Sequence, residues 1–317
     1  MLTIDEEMIA KKFSMSDCIN AMEDLYRYED IASGSKSSRS IFRMNEDSVI
    51  LVMPGFSSRI NRFALKIVTE YKQNPRKYLL PAQGGFTLLM NSENSETLAM
   101  LDSPAITAIR TGAVSGLATK ILARADSQVV ASIGTGQQAR SLLEAIMAVR
   151  PGIRKVRAFS RNQENVKKFA REMTDRLGIN VEEVERSSLA LKDADIVNVA
   201  TNSSIPVINW NEIPERAHIN SIGTLPDRRE LDMETVSKTS LFVDTRDGVL
   251  KDAGDVISAI KAGKISENDI RGDLSDLVRK TVPGRQSATE VTLFKSVGMA
   301  LQDVYAANRI YEILSET

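Results

Sequence analysis

The sequence predicts an α/β protein, with a doubly wound, mostly parallel sheet domain preceded by enough strand- and helix-forming sequence for a second, α+β domain. Three observations carry this. An apolar run, Val129-Val130-Ala131-Ser132-Ile133, feeds a glycine turn that opens onto a helical pattern. Downstream, short apolar runs alternate with amphipathic segments, as in βαβ units. Upstream, three strand-like runs and a hairpin signal follow one another without intervening helices.

The glycine turn, Gly134-Thr135-Gly136-Gln137-Gln138-Ala139, has the spacing of a dinucleotide fingerprint. Gly134 allows the tight turn, Gly136 lets backbone approach a pyrophosphate, and Ala139 is the small residue where helix packs on strand. Free N–H groups and the positive end of the helix dipole then face the anion. The next strand (155–160) ends in Ser160-Arg161-Asn162, with no carboxylate before Glu164. An acid at that point accepts from a ribose 2′-hydroxyl, whereas a hydroxyl, a guanidinium and an amide suit a 2′-phosphate. NADP(H) is therefore expected over NAD(H).

Taken in order, residues 1–29 read as helical, with Ser14 or Ser16 as cap and Ile19, Met22, Leu25 and Tyr26 on one face. Residues 32–38 read as a polar, flexible loop, followed by strands over 40–43, 48–53 and 63–71. Apolar runs at 86–90 and 97–101 around a polar turn predict a hairpin, and Ser103-Pro104 starts a helix rich in small residues through Thr119. After the glycine turn, a helix ends at Pro151-Gly152, and a second carries Val166, Phe169, Ala170, Met173 and Leu177 and closes at Gly178. Strands are expected over 180–185, 195–201, 219–223, 241–244 and 289–295, with a helical stretch around 252–261 and a final helix capped by Ser296. Ligands of doubly wound sheets collect beyond the carboxyl ends of strands, so Thr201, Asn202 and Ser203 are candidate ribose or nicotinamide contacts.

Composition narrows the function classes. The 317 residues carry 41 basic and 42 acidic side chains without a basic run, so nucleic acid is not an expected partner. The start lacks a signal-peptide pattern and no stretch approaches about 18 apolar residues, so a cytoplasmic protein without membrane spans is expected. Cys18 and His218 are the sole residues of their kinds, which argues against a disulfide, a clustered metal site and a histidine-based catalytic triad. His218, in a strand-like run, reads as structural.

With these segments in place the chain resembles the ornithine cyclodeaminase and mu-crystallin family from end to end. The likeness rests on ordered blocks: Met53-Pro54, Leu65-Lys66-Ile67-Val68-Thr69 with Asn74-Pro75, Ala108-Ile109-Arg110-Thr111-Gly112-Ala113, the glycine turn, Ala194-Asp195-Ile196-Val197, Arg229-Glu230-Leu231-Asp232, Ala253-Gly254-Asp255 and Thr292-Leu293-Phe294-Lys295-Ser296-Val297-Gly298. The resemblance implies a Rossmann dinucleotide-binding domain over 119–295, and a substrate-binding and dimerisation domain formed by 1–118 and 296–317. It implies a homodimer acting on a small amino acid or its imine beside a nicotinamide, with Thr111 joining the cofactor residues. It further implies that Arg43, Lys66 and Arg110 hold the substrate carboxylate. The physical case agrees, since converging cations are unfavourable without an anion between them, and Lys66, amid Ala64, Leu65, Ile67 and Val68, would lose basicity by desolvation and suit proton exchange.

Two departures from the cyclodeaminase pattern point toward the reductase and dehydrogenase members. Thr224 follows Gly223 where cyclodeaminases resemble one another in having an aspartate, and Leu51 stands where they carry a glutamate. A hydroxyl at 224 orients water or an imine nitrogen but is a poor general base, although Asp227 lies close in sequence. The expected activity is an NAD(P)H-dependent imine reductase or amino-acid dehydrogenase, with Lys66 and Thr224 as catalytic residues. Ornithine cyclodeamination is the alternative enzyme, and a non-catalytic dinucleotide or small-ligand binder the alternative of another class.

Overall fold

The computed structural model describes residues 1–31 and 39–316. It divides into two compact units, 1–110 with 299–317 and 111–298, so the division falls within the small-residue helix rather than at its end. The expected loop at 32–38 lies outside the described residues.

In the first unit β1 (Leu2–Ile4), α1 (Glu6–Lys12) and α2 (Met15–Tyr28) precede β2 (Ser40–Asn45), β3 (Ser48–Ser57), β4 (Arg62–Tyr71), α3 (Asn74–Lys77), β5 (Gln83–Asn91), β6 (Thr97–Asp102) and the start of α4 (Ser103–Leu122). The sheet runs β1-β6-β5-β4-β3-β2 and is antiparallel except for β1 beside β6. The first 29 residues are thus not wholly helical: Leu2 to Ile4 pair with Ala99 to Leu101, a tertiary contact that local periodicity cannot show. Ser14, not Ser16, caps α2, in a reciprocal capping box with Asp17.

The second unit comprises the rest of α4, then β7 (Val129–Ile133), α5 (Gln137–Val149), β8 (Lys155–Phe159), α6 (Gln163–Leu177), β9 (Val181–Glu183), α7 (Ser187–Leu191), β10 (Ile196–Val199), β11 (His218–Ser221), α8 (Met233–Lys238), β12 (Ser240–Val243), α9 (Arg246–Asp252), α10 (Gly254–Lys261), β13 (Ile270–Asp273), α11 (Leu274–Arg279) and β14 (Thr292–Lys295). Its sheet is parallel throughout, in the order β13-β12-β14-β11-β10-β7-β8-β9. Every residue of β10, β11, β12 and β14 is buried, as expected of strands covered on both faces. Successive strands leave β7 toward β8 on one side and β10 on the other, so the crevice of this doubly wound sheet opens beyond the carboxyl ends of β7 and β10.

The last helix, α12 (Ala300–Ser315), belongs to the first unit and packs on α2, β3 and β4. Gly55 permits that approach: a Cβ there would lie 2.9 Å from the Ala300 carbonyl oxygen. Ser296 does not cap α12. Its hydroxyl donates to Asp244 Oδ2, which also accepts from the backbone N–H groups of Val297 and Gly298, and the helix starts four residues later. No helix among the described residues is long and apolar enough to cross a membrane.

Candidate active site

Two groups of side chains, one in each unit, contain the candidate residues. In the second unit Gly134 has φ +110°, and a Cβ there would sit 2.2 Å from the carbonyl oxygen of Ala200, so the loops after β7 and β10 meet where only glycine fits. Gly136, the N-cap of α5, has no side-chain cap, and a Cβ on it would meet nothing within 4 Å. Space therefore does not demand glycine at 136. An open backbone beside uncapped N–H groups at the start of a 13-residue helix fits a dinucleotide pyrophosphate.

Ala139 is fully buried against the strand side, while Gln137 is exposed and Gln138 keeps a buried Oε1 without a partner among the described residues. Arg140, absent from the sequence expectation, braces the turn: its Nη1 donates to the carbonyls of Thr135 (2.6 Å) and Gly136 (3.1 Å) while Glu172 holds it bidentately. After β8, Ser160 Oγ accepts from Thr135 Oγ1 at 3.3 Å, and Asn162 Oδ1 caps α6 by accepting from Asn165 N. Arg161 is exposed and has no ion pair among the described residues.

The ends of β10 and β11 are tied together by Glu230, also unforeseen. Its Oε1 accepts from Thr201 N (2.6 Å) and Thr201 Oγ1 (3.1 Å), and its Oε2 from Ser221 Oγ and Gly223 N, both at 2.7 Å. Lys295 lies 3.8 Å from Oε2 and binds Ser221 Oγ and Asp255 Oδ2 at 2.8 Å. Burial pushes the Glu230 carboxyl up, opposed by Lys295 and by these donors. Thr201 is therefore committed to Glu230, Asn202 accepts from Arg228, and the Ser203 hydroxyl donates to Ile205 within its own loop. Thr224 is half-buried and precedes Leu225, whose φ of 95° is a strained value for a non-glycine residue. Asp227 is exposed. Thr111 is buried on α4, next to Gly112, where a Cβ would fall 2.5 Å from the Ser141 carbonyl oxygen and prevent the close approach of α4 to α5.

His218 takes no part in this group. It is fully buried, bonded to Thr292 Oγ1 and Asn220 Oδ1, and desolvation holds its pKa down to about 3.

The first unit holds the cations. Lys66, in register with Met53 on β3 and Thr87 on β5, points to the buried side of β4 and is 1% exposed. Its Nζ donates to Asp303 Oδ1 at 2.8 Å, and Arg110 Nε approaches the same oxygen at 3.2 Å. Arg110 Nη1 donates to Gln302 Oε1 (2.8 Å), whose Nε2 donates to the Tyr26 hydroxyl (2.7 Å). Burial pushes the Lys66 ammonium down to about 8, with Arg110 and Arg39 adding to the fall and Asp303 opposing it.

Arg43 is not part of this cluster. It lies exposed on β2 opposite Val49, four residues along β3 from Met53, roughly 13 Å at strand rise. Arg39, which directly precedes β2, is the cation from this segment that acts on Lys66. The strand-like run by itself points to the arginine inside it, whereas the register places the earlier one near the site. Asp303 and Gln302 are legible in the sequence only as part of an amphipathic helix. What marks them is that both lie among the first nine positions of the helix, all buried, and that appears only in the folded chain.

The sequence model of the ornithine cyclodeaminase/mu-crystallin family matches residues 1–317. A Δ1-pyrroline-2-carboxylate reductase of Bacillus cereus is 33% identical over 270 residues, 84% of this chain and 82% of the relative. Among solved structures, the Thermococcus litoralis Δ1-pyrroline-2-carboxylate reductase in complex with NADH and L-proline superposes with a TM-score of 0.94 at 39% identity, covering 100% of this chain and 98% of the other. An archaeal alanine dehydrogenase dimer with bound NAD gives 0.91 at 31% identity, covering 100% and 97%. With a family match over its whole length and relatives above 30% identity across most of both chains, this protein belongs to the ornithine cyclodeaminase/mu-crystallin family.

Proposed function

We propose that the protein is an NAD(P)H-dependent oxidoreductase that reduces the C=N bond of a small imino acid such as Δ1-pyrroline-2-carboxylate, or runs the reverse oxidation on the amino acid. The observation that carries this reading is the buried lysine beside a buried arginine, with the lysine pushed down to about 8 by desolvation. Relatives named for Δ1-pyrroline-2-carboxylate and alanine chemistry support it.

A dinucleotide whose pyrophosphate is held at the Gly134–Ala139 turn would supply or accept the hydride through its nicotinamide. The remaining chemistry falls to side chains. Arg110 and Lys66 hold the substrate carboxylate, Arg110 with a guanidinium fork whose Nη1 is steadied by Gln302. Lys66, or a water held by Thr224, gives a proton to the imine nitrogen as the carbon receives hydride. Near neutral pH a lysine titrating at about 8 is mostly protonated, yet releases its proton far more readily than an exposed one.

For the 2′ position we infer NADP(H), because the exposed Arg161 follows Ser160, and the first acid, Glu164, is exposed in the first turn of α6. The described residues of the first unit also expose Phe42, Met44, Phe56, Leu79, Leu80 and Phe86, apolar side chains that a subunit contact would cover, which supports a homodimer. A cytoplasmic location completes the proposal. Light scattering should return about twice 34.9 kDa; a monomer mass removes the dimer.

The deciding experiment follows NADPH and NADH oxidation with Δ1-pyrroline-2-carboxylate, Δ1-piperideine-2-carboxylate and pyruvate plus ammonia, beside ammonia release from ornithine with NAD⁺. Consumption of reductant with an imine is the expected result, and a higher kcat/KM with NADPH supports the role given to Arg161. Ammonia and proline from ornithine would make the protein a cyclodeaminase, and saturable cofactor binding with no turnover would make it a binder.

A further inference from the structure

One oxygen of Asp303 holds both substrate-site cations. Oδ1 accepts from Lys66 Nζ and Arg110 Nε, while Oδ2 is buried with no partner among the described residues. The side chain is 1% exposed. A carboxylate withdrawn from water with half its acceptor capacity unfilled is unfavourable as mere scaffolding, since a buried ion pair offsets its desolvation only when the remaining lone pairs are also satisfied.

Around Lys66 the charged groups among the described residues are Arg110 from α4, Arg39 from the segment before β2 and Asp303 from α12. Cys18 of α2 also faces Arg110 and Asp303, and burial holds its thiol neutral. Both arginines and the surrounding burial disfavour the ammonium, and among the described residues Asp303 is the group that favours it, by charge and by hydrogen bond.

We propose that Asp303 is a positioning residue: its charge keeps Lys66 protonated at neutral pH and fixes Lys66 and Arg110 side by side as the receptor for the substrate carboxylate. This rests on the reading of Lys66 given above. In each reduction the nicotinamide hydride forms the new C–H bond, an N–H proton of the Lys66 ammonium passes to the imine nitrogen, and C=N becomes CH–NH. The dinucleotide leaves oxidised and Lys66 is left as a neutral amine. Asp303 then draws a proton from water back to Nζ, so the site starts the next cycle charged.

The test is the pH profile of kcat/KM for Δ1-pyrroline-2-carboxylate. Wild-type activity should fall along an alkaline limb, and a flat profile between roughly pH 7 and pH 10 overturns the proposal. In Asp303→Asn that limb should move down by about one pH unit or more, because an opposite charge at this range shifts a pKa by roughly 1–3 units. NAD(P)H dissociation constants should stay within about twofold, and Asp303→Glu should return the limb toward its original position. If the Asp303→Asn variant does not fold, Asp303→Ser, which leaves room for water, carries the same expected shift. An unmoved limb in the neutral variants, together with an inactive Lys66→Met, overturns the role of Asp303 and leaves Lys66 in place. Full turnover by Lys66→Met overturns both.

Discussion

Lys66→Met is expected to lower kcat/KM for imine reduction by about a thousandfold or more, with NAD(P)H affinity unchanged within about twofold. The loss has two sources. A positioned proton donor contributes roughly 10²–10⁴ in rate, and a charged hydrogen bond to the carboxylate adds about 1.5–3 kcal/mol of binding. Methionine keeps most of the side-chain volume, so Ala64, Met53 and Leu89 should retain their packing. Asp303 keeps Arg110 as its partner, so stability should fall by less than the roughly 3–5 kcal/mol typical of a carboxylate left wholly unpaired. Steady-state kinetics beside fluorescence titration of NAD(P)H separates the effects, and unaltered turnover removes Lys66 from the mechanism. The sign of the wild-type pH dependence follows from the same residue. Below about 8 Lys66 is an ammonium and can donate, so imine reduction should decline as pH rises through that value, while amino-acid oxidation, which needs a neutral acceptor, should rise.

What the sequence reveals and conceals at this site has a physical pattern. The glycine turn is legible because its constraint is local: Gly134 adopts a φ that other residues avoid, and the strand before it and helix after it are written in adjacent residues. Lys66 is legible because its strand neighbours are apolar. Asp303 is not, because its partners Lys66 and Arg110 lie 237 and 193 residues away and nothing near α12 signals them. Arg39 and Arg43 lie in one segment, and only the β2–β3–β4 register decides which stands by Lys66. The strand β1 and the true start of α12 are concealed for the same reason, as each is fixed by a distant partner: Ala99 to Leu101 for β1, and Asp244 for the segment before α12. Local chemistry therefore marks elements and single candidate side chains, while polar partners separated by half the chain emerge only when the sheets are assembled.

Glu230→Gln should destabilise the protein by about 1–3 kcal/mol, the cost of a buried donor left unsatisfied, and impair cofactor-dependent turnover, although the two side chains are nearly isosteric. All four of the hydrogen bonds that the carboxylate accepts come from donors: Thr201 N, Thr201 Oγ1, Ser221 Oγ and Gly223 N. An amide must turn its NH2 toward one pair of them, leaving at least one buried backbone N–H facing another donor. Relaxation is blocked, since a Cβ on Gly223 would already lie 2.7 Å from the Glu230 side chain, which shows how closely the two segments fit. Lys295 would keep Asp255 but lose the second carboxylate at 3.8 Å. At roughly 2–4 °C per kcal/mol for a domain of this size, thermal melting should come several degrees lower. The functional consequence follows from position. Thr201 begins the loop after β10, and Gly223 leads into Thr224 after β11, so Glu230 sets the spacing of two loops at the carboxyl ends of adjacent strands, where a doubly wound sheet receives its ligand. Loss of that spacing should raise KM for NAD(P)H as well as lower kcat, in contrast to Lys66→Met. A Glu230→Gln variant that melts like the wild type with an unchanged cofactor KM would reduce Glu230 to an incidental buried acid.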